Sequence, residues 1–211
     1  EITTRLVGSE MCIRDRTEFA LSWPKSERMD RTEFELKPFH STADAGWDEI
    51  MAIYAQSFPL PEQWPVEGYR RALGDPLFRA DGIWVDGLPA GLLFHWRGPA
   101  YRYLEHLAVS PAMRGRDLGS KVLRAFCREA GRVVLEIDPP EDEISIRRQG
   151  FYERNGFVTN PYLYIHPSFR RPFQPHRLVL MSYPGPLGRQ EAAGFEDFVH
   201  REVLKYSDHA Q

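Results

Sequence analysis

The sequence contains little cysteine, no long apolar run and no large excess of either charge. Two cysteines, Cys12 and Cys127, occur among 211 residues, which excludes a disulfide framework and a cysteine-based zinc site. No apolar run reaches the roughly 18 residues that a membrane-spanning helix needs. The formal net charge is −3 despite 27 lysines and arginines, so no overall field attracts nucleic acid. These exclusions predict a soluble, cytoplasmic protein without a nucleic-acid or membrane partner.

The chain length suits one well-packed domain with additional segments. Hydrophobic residues make up 42% of the chain, which is enough for one core but little for two full domains. Residues 1–30 are set apart as a non-native or disordered leader, because residues 7–16 resemble translated sequencing-adapter sequence and lack a secretory pattern. The expected domain then covers residues 31–184, and a helical extension covers residues 185–211.

Hydrophobic periodicity predicts a mixed α/β (α+β) chain with helices on the faces of a sheet. Strands are expected over residues 34–39, 78–85, 89–96, 101–109, 133–137, 158–165 and 178–183. Helices are expected after a cap at Thr42 and over residues 61–73, 118–130, 141–155 and 191–206. The last helix has an apolar stripe that either covers its own sheet edge or forms a dimer contact, so a homodimer is one open prediction.

Residues 104–120 are the most informative stretch of the chain. A strand-like run ends at Val109, a basic glycine loop follows, and an amphipathic helix begins near Leu118. This order presents backbone N–H groups and the positive end of a helix dipole to an anion. Arg114 adds a charge-assisted donor. The stretch therefore predicts a site for a phosphorylated ligand, against the alternative of an ordinary strand–helix turn with surface arginines.

Two motifs carry a family resemblance. The run Arg114-Gly115-Arg116-Asp117-Leu118-Gly119 is similar to the acyl-CoA pyrophosphate loop of GNAT-superfamily N-acetyltransferases. The run Phe151-Tyr152-Glu153-Arg154-Asn155-Gly156-Phe157 resembles the second landmark of that superfamily. The motifs occur in the right order, one helix and one strand apart, and the resemblance covers about residues 34–184. It implies a bacterial-type acyltransferase with acetyl-CoA as co-substrate and no metal.

The resemblance also implies a specific fold and specific cofactor contacts. The expected sheet is mixed, mostly antiparallel and twisted, with helices on both faces and a splay between its fourth and fifth strands. Main-chain groups of residues 107–109 would bind the pantetheine arm, and an N–H near Val109 would polarise the thioester carbonyl. Cofactor binding is thus assigned to Leu107, Ala108, Val109, Arg114, Gly115, Arg116, Asp117, Leu118, Gly119, Ser120 and Ser145. Ser145 is included because it stands where many relatives have an asparagine that contacts CoA.

Asp117 departs from the family pattern, because it occupies the place of the first glycine in the pyrophosphate loop. Its carboxylate would either repel phosphate or cap the following helix while pointing outward. The second interpretation is the one we expect. The first would weaken CoA binding.

The catalytic candidates are Tyr152 and Glu105. A phenol at Tyr152 would protonate the leaving thiolate, although Tyr152 also suits a core aromatic role. Glu105 would accept the proton that the attacking ammonium loses, with a structural role equally open. Strand alternation predicts that Glu105 shares a face with Tyr101, Tyr103, Leu107 and Val109. It also predicts that His106 points the opposite way as a structural histidine.

Further charged residues bear on the acceptor. Arg147 and Arg148 precede the second motif, and one of them would reach a phosphate or an acidic acceptor unless both lie on a solvated helix face. An acidic patch that would attract a cationic amine, without metal-ligand spacing, consists of Glu136, Asp138, Glu141, Asp142 and Glu143. Acceptor contacts are expected from the variable segments 59–64, 162–164 and 168–176.

These features together predict direct transfer of an acetyl group from acetyl-CoA to a primary amine of a small molecule in a ternary complex. The alternative is a CoA-binding sensor or interaction domain that has lost catalysis. A toxin-like enzyme acting on charged tRNA is disfavoured by the net charge of −3, because phosphate neutralisation needs a basic face.

Overall fold

The computed structural model describes residues 33–210. The interpretation of residues 1–30 as a leader, together with Cys12, lies outside the described residues. Within the described part of the chain, no helix is long and apolar enough to cross a membrane.

The described residues form a sheet with helices on both faces. The strands are β1 (Glu35–Phe39), β2 (Phe78–Val85), β3 (Leu88–Arg97), β4 (Arg102–Val109), β5 (Val133–Ile137), β6 (Val158–Thr159), β7 (Tyr164–Pro167) and β8 (Pro175–Tyr183). The helices are α1 (Trp47–Ser57), α2 (Val66–Ala72), α3 (Leu118–Ala130), α4 (Glu143–Arg154) and α5 (Arg189–Phe198). The strands follow the spatial order β1-β2-β3-β4-β5-β8-β6, and β7 also pairs with β8. The pairs are antiparallel apart from the parallel pair β4–β5, which confirms the predicted fold class.

The sheet splays between β4 and β5. The two strands pair at Arg102 with Val133 and at Tyr103 with Val134, whereas β4 continues beside β3 as far as Val109. The main-chain edge of β4 beyond Tyr103 therefore diverges from β5, as predicted, and an opening forms between the two strands.

Two predicted elements differ from the structure in ways that local hydrogen bonds explain. α1 begins at Trp47 and not after Thr42, because the Asp44 carboxylate accepts from the N–H groups of His40 and Ser41 and holds a turn there. The predicted strand over residues 158–165 is broken into β6 and β7. The Asn160 side chain bonds Ser182 and Leu187 and interrupts the ladder.

The two sheet faces carry separate cores. The face covered by α1, α2 and α5 is aromatic and includes Phe94, Trp96 and Tyr103, and we call it the α1 face. The face covered by α3 and α4 includes Leu93, Leu107 and Val109, and we call it the α3 face. Burying both sets of side chains provides most of the driving force for folding.

The C-terminal segment after α5 packs on its own sheet. The predicted last helix stays α-helical only to Phe198 and continues as π and 3₁₀ turns to Tyr206. The Tyr206 ring stacks 5.9 Å from the rings of both Trp64 and Trp96. The apolar stripe therefore covers the α1 face of the same molecule. A dimer contact remains a prediction.

Candidate active site

The loop between β4 and α3 forms a helix start suited to an anion. The N–H of Ser110 donates to Ala90, and a 3₁₀ turn covers Pro111–Met113. Gly115 has a φ of +76°, a left-handed conformation that favours glycine. The first intrahelical bond runs from the N–H of Lys121 to the carbonyl of Asp117 at 3.0 Å. The amides just before it have no partner within the helix, as at any helix start, and can bind phosphate.

Asp117 occupies the N-cap position of α3 without capping it. Its φ is +54°, which explains why glycine would suit this position, and its side chain makes no capping hydrogen bond. The carboxylate instead accepts a 2.7 Å hydrogen bond from the guanidinium of Arg124, where both side chains are about half exposed. The predicted outward orientation is confirmed and the predicted cap is wrong. Arg124 supplies a counter-charge beside the loop.

The two sequence motifs meet in space at the end of β4. A Cβ built on Gly119 would lie 3.6 Å from a Val109 methyl carbon and 3.6 Å from the Phe151 ring. The start of α3, the end of β4 and the aromatic motif on α4 are therefore in contact. This convergence lies on the α3 face, next to the splayed edge of β4.

Tyr152 is buried beside this convergence. It is 2% exposed, and its ring lies 5.2 Å from Phe151 and 5.5 Å from Phe157 in edge-on arrangements. Leu107 and Val109 belong to the same core cluster. This burial supports the core role for Tyr152 that the sequence left open. The acid role of its hydroxyl stays a proposal.

Ser145 closes the N-terminus of α4. Its hydroxyl accepts from the N–H groups of Glu141 and Asp142 and donates to the Asp142 carbonyl, while the Asp142 carboxylate accepts from Ile144 and Ser145. This capping box holds the helix start. A contact between Ser145 and CoA stays a prediction.

The predicted face of Glu105 is right for Tyr103 and wrong for Leu107 and Val109. His106 does not point the opposite way from Glu105 as predicted. β3 residues Phe94 and His95 pair with His106 and Leu104, so Glu105 is an extra residue in a β-bulge. The bulge reverses the alternation, which places Glu105 with Tyr103 and His106 on the α1 face, opposite Leu107 and Val109. Glu105 accepts a 2.8 Å hydrogen bond from the Trp96 indole, and its Oε2 lies 3.8 Å from Nδ1 of His106.

A buried polar cluster borders the splay on the α1 face. Its buried members are Glu62, His106, Glu136, Asp138, Arg148 and His166. The partly exposed His176 joins them at its edge. Tyr103 donates a 2.7 Å hydrogen bond to Glu136, and His166 lies 3.8 Å from the same carboxylate. Tyr54 lies 3.4 Å from both the ring of His106 and the carbonyl of Glu62. Several carboxylates therefore converge where β4 and β5 separate.

Comparison with known proteins supports the GNAT resemblance. Residues 80–159 match the family described as "Acetyltransferase (GNAT) domain". A GNAT-family acetyltransferase structure from Bacteroides thetaiotaomicron is 26% identical and superimposes with a TM-score of 0.75, over 81% of this chain and 98% of that chain. Residues 80–159 therefore form a GNAT acetyltransferase domain. The acyltransferase activity is that of the matched domain family.

More distant acetyltransferase structures share the fold alone. An acetyltransferase from Bacillus subtilis in complex with CoA is 13% identical with a TM-score of 0.51, over 71% of this chain and 97% of that one. A spermidine N-acetyltransferase chimera from Vibrio cholerae is 11% identical with a TM-score of 0.51, over 71% and 94%. No curated protein matches the sequence significantly.

Within this GNAT fold, three side chains come together that the sequence spacing did not reveal. Ligand atoms of Glu62, Asp138 and His176 lie within 4.8 Å of one another, although the sequence predicted no metal site. The three residues come from separate elements, so no spacing rule connects them. Arg148 also donates to the Asp138 carboxylate, and its positive charge there opposes a bound divalent metal ion. We therefore interpret the group as an ion-pair network.

Sequence reasoning found Glu136 and Asp138 but missed Glu62, His166 and His176. Glu136 lies on β5 and Asp138 directly follows that strand, so the two-residue spacing was the available signal that both side chains share a face. The other three reach the splay only through the folding of distant segments. Of the two candidate arginines, Arg147 is exposed and paired with Glu143, whereas Arg148 is buried.

Proposed function

We propose that this GNAT protein transfers an acetyl group from acetyl-CoA to a primary amine of a small molecule by direct attack. The observation that carries the proposal is the contact of Gly119, Val109 and Phe151, which joins a phosphate-type helix start to the splayed edge of β4. A GNAT acyl donor needs both features, one for its pyrophosphate and one for its extended arm.

The proposed donor site follows the chain from the loop to the strand. The pyrophosphate of acetyl-CoA is bound by Arg114 and by backbone N–H groups of residues 116–120. The pantetheine arm runs along the main chain of Leu107, Ala108 and Val109, and an N–H near Val109 stabilises the tetrahedral oxyanion. Ser145 would contact CoA from the start of α4.

The proposed reaction uses one acid and one base. The amine nitrogen attacks the thioester carbonyl carbon, a C–N bond forms, and the C–S bond breaks. Tyr152 gives its proton to the departing CoA thiolate. Glu105 accepts the proton that the ammonium loses, and it lies 3.8 Å from His106, a member of the buried polar cluster.

The acceptor side is supported by two predicted segments that pack together. Arg170 donates to the carbonyls of Gln63 and Trp64 at 2.9 and 2.8 Å, and the N–H of Phe169 donates to Pro61. The segments 59–64 and 168–176 thus form one wall beside the buried polar cluster. The carboxylates of that cluster favour the binding of a cationic amine.

The test is release of CoA thiol from acetyl-CoA with a panel of primary amines, with the acetylated product identified by mass spectrometry. Amine-dependent release supports the enzyme. Saturable binding of acetyl-CoA, without release of CoA thiol for any amine, supports the sensor alternative. The carboxylate of Asp117 in the pyrophosphate loop favours that alternative, because it adds negative charge beside the phosphate site. Absence of acetyl-CoA binding contradicts both.

A further inference from the structure

Arg148 is a buried cation with unused hydrogen-bonding capacity. Its side chain is 1% exposed, and Nη1 donates to Oδ2 of Asp138. Among the described residues, no group accepts a hydrogen bond from its Nε or Nη2. A guanidinium donor left unpaired in a buried position costs free energy, so a native protein normally supplies a partner.

The two unused donors have a specific geometry. The N–H groups on Nε and Nη2 point in the same direction and form a planar fork, which matches the two oxygens of a carboxylate. Asp138 occupies the other side of the guanidinium and fixes its orientation. The fork therefore suits a planar anion such as a carboxylate.

The surroundings of Arg148 supply the opposite charge at short range. Asp138 follows β5 at the splay, and its Oδ1 lies 3.0 Å from Nε2 of His176. Glu62 contributes a second carboxylate within 4.8 Å of these atoms. His176 has a side chain that is 26% exposed, so the group is reached from solvent on that side. A positive fork thus lies beside negative oxygens.

We propose that Arg148 binds a carboxylate of the acceptor, and that the acceptor is an amino acid or a similarly short molecule that carries an amine and a carboxylate close together. The amine lies against Glu62, Asp138 and His176, and the carboxylate lies on the Nε–Nη2 fork. This inference rests on the proposed function, because it names the acceptor of the same reaction. Arg148 is then a specificity-determining residue.

The test compares matched acceptors with the wild-type protein. The probes are the common α-amino acids, their carboxamides and their decarboxylated amines, each assayed for kcat/KM with acetyl-CoA. For at least one amino acid, we expect kcat/KM to exceed the values for its own carboxamide and its decarboxylated amine by ~10-fold or more. The reason is that a site built for a hydrogen-bonding group rejects analogues that lack it. Equal or better acetylation of the amides and amines would overturn the inference but leave the proposed function intact. Acetylation of no amine at all would overturn both.

Two variants locate the effect. Arg148→Lys keeps a positive charge for Asp138 but has no planar fork. We define the acceptor preference as kcat/KM for the amino acid divided by kcat/KM for its amide, and this ratio should fall by ~10-fold in the variant. Arg147→Lys, one residue away and exposed, should leave that ratio unchanged. An unchanged ratio in Arg148→Lys, or equal losses for both acceptors, would contradict the assignment. Because the wild-type comparison needs no variant, poor folding of Arg148→Lys would not remove the test.

Discussion

The indole Nε1 of Trp96 donates a 2.8 Å hydrogen bond to Oε2 of Glu105, across a β-bulge in β4. This bond holds the carboxylate on the α1 face, on the side of the buried polar cluster. It also separates Glu105 from Leu107 and Val109, which point to the α3 face. A base at Glu105 would therefore take its proton from an acceptor amine on the α1 face, and the acyl donor would lie on the α3 face.

Glu105→Gln tests the base. Glutamine keeps an oxygen that accepts from Trp96, so folding should be preserved, but it cannot take a proton. We expect kcat to fall by ~10²-fold, with the Kd for acetyl-CoA unchanged. The measurements are amine-dependent CoA release and calorimetric titration. Wild-type kcat in this variant would restrict Glu105 to its structural role.

Tyr152→Phe tests the general acid. The ring stays in its aromatic contacts while the hydroxyl is lost, and turnover should fall by ~10²-fold or more with little loss of CoA binding. Tyr183→Phe is the matched control, because the ring of Tyr183 on β8 lies 5.6 Å from the ring of Phe157, which Tyr152 also contacts. If both variants turn over like the wild type, another group protonates the thiolate.

Variants at Asp117 test the charge in the pyrophosphate loop. Asp117→Gly removes the carboxylate and relieves the left-handed φ, and should strengthen CoA binding measured by calorimetry at low salt. Asp117→Asn removes only the charge and tolerates the same backbone. Arg124→Gln removes the counter-charge and should weaken binding. Unchanged or weaker affinity in Asp117→Gly would refute repulsion by the carboxylate.

Two helical glycines test the docking of the C-terminal segment. A Cβ on Gly68 in α2 would lie 2.3 Å from the Tyr206 carbonyl oxygen, whereas a Cβ on Gly194 in α5 meets nothing within 4 Å. Gly68→Ala should lower the free energy of unfolding by about 1–3 kcal/mol through overpacking. Gly194→Ala should raise it by about 0.5–1 kcal/mol. Denaturant unfolding measures the free energy of unfolding of both variants. Equal effects of the two substitutions would argue against the packing of Tyr206 on α2.

His95 predicts a pH dependence of stability. Burial, with additional repulsion from Arg102 and Arg79, lowers the pKa of His95 from 6.5 to about 3. Between those values the unfolded chain binds a proton that the folded protein does not, so stability falls as the pH drops through this window. The contribution of His95 between pH 7 and pH 5 is about 2 kcal/mol.

Thermal unfolding across this pH range checks the effect. His95→Gln should show a shallower loss of stability than the wild type, whereas His200→Gln, at an exposed position, should follow the wild type. An equally steep loss in His95→Gln would assign the acid sensitivity to other groups.

The sequence predicted the elements that have strong local signals. α3 and β5 occur over the predicted residues, because a clear 3.6-residue period and a short apolar run define them. The strands predicted over residues 78–85 and 89–96 are also present, and they are joined at Asp86-Gly87, where both residues have a positive φ. The splay followed from the family resemblance and was confirmed by the short β4–β5 pairing.

The remainder depended on tertiary contacts that no local pattern encodes. The bulge at Glu105 comes from pairing with β3, and one extra residue was enough to reverse the predicted face. Glu62 and His176 lie far apart in the chain and meet only around Asp138. The left-handed Asp117 and its bond to Arg124 likewise required the folded loop.

The most direct measurement is an experimental structure of the protein with acetyl-CoA bound. The proposal predicts pyrophosphate oxygens within hydrogen-bond distance of the amides of residues 116–120, the pantetheine arm along the β4 edge, and the Tyr152 hydroxyl within hydrogen-bond reach of the thioester sulfur. Acetyl-CoA bound outside the β4–β5 splay, or a sulfur beyond the reach of Tyr152, would contradict it.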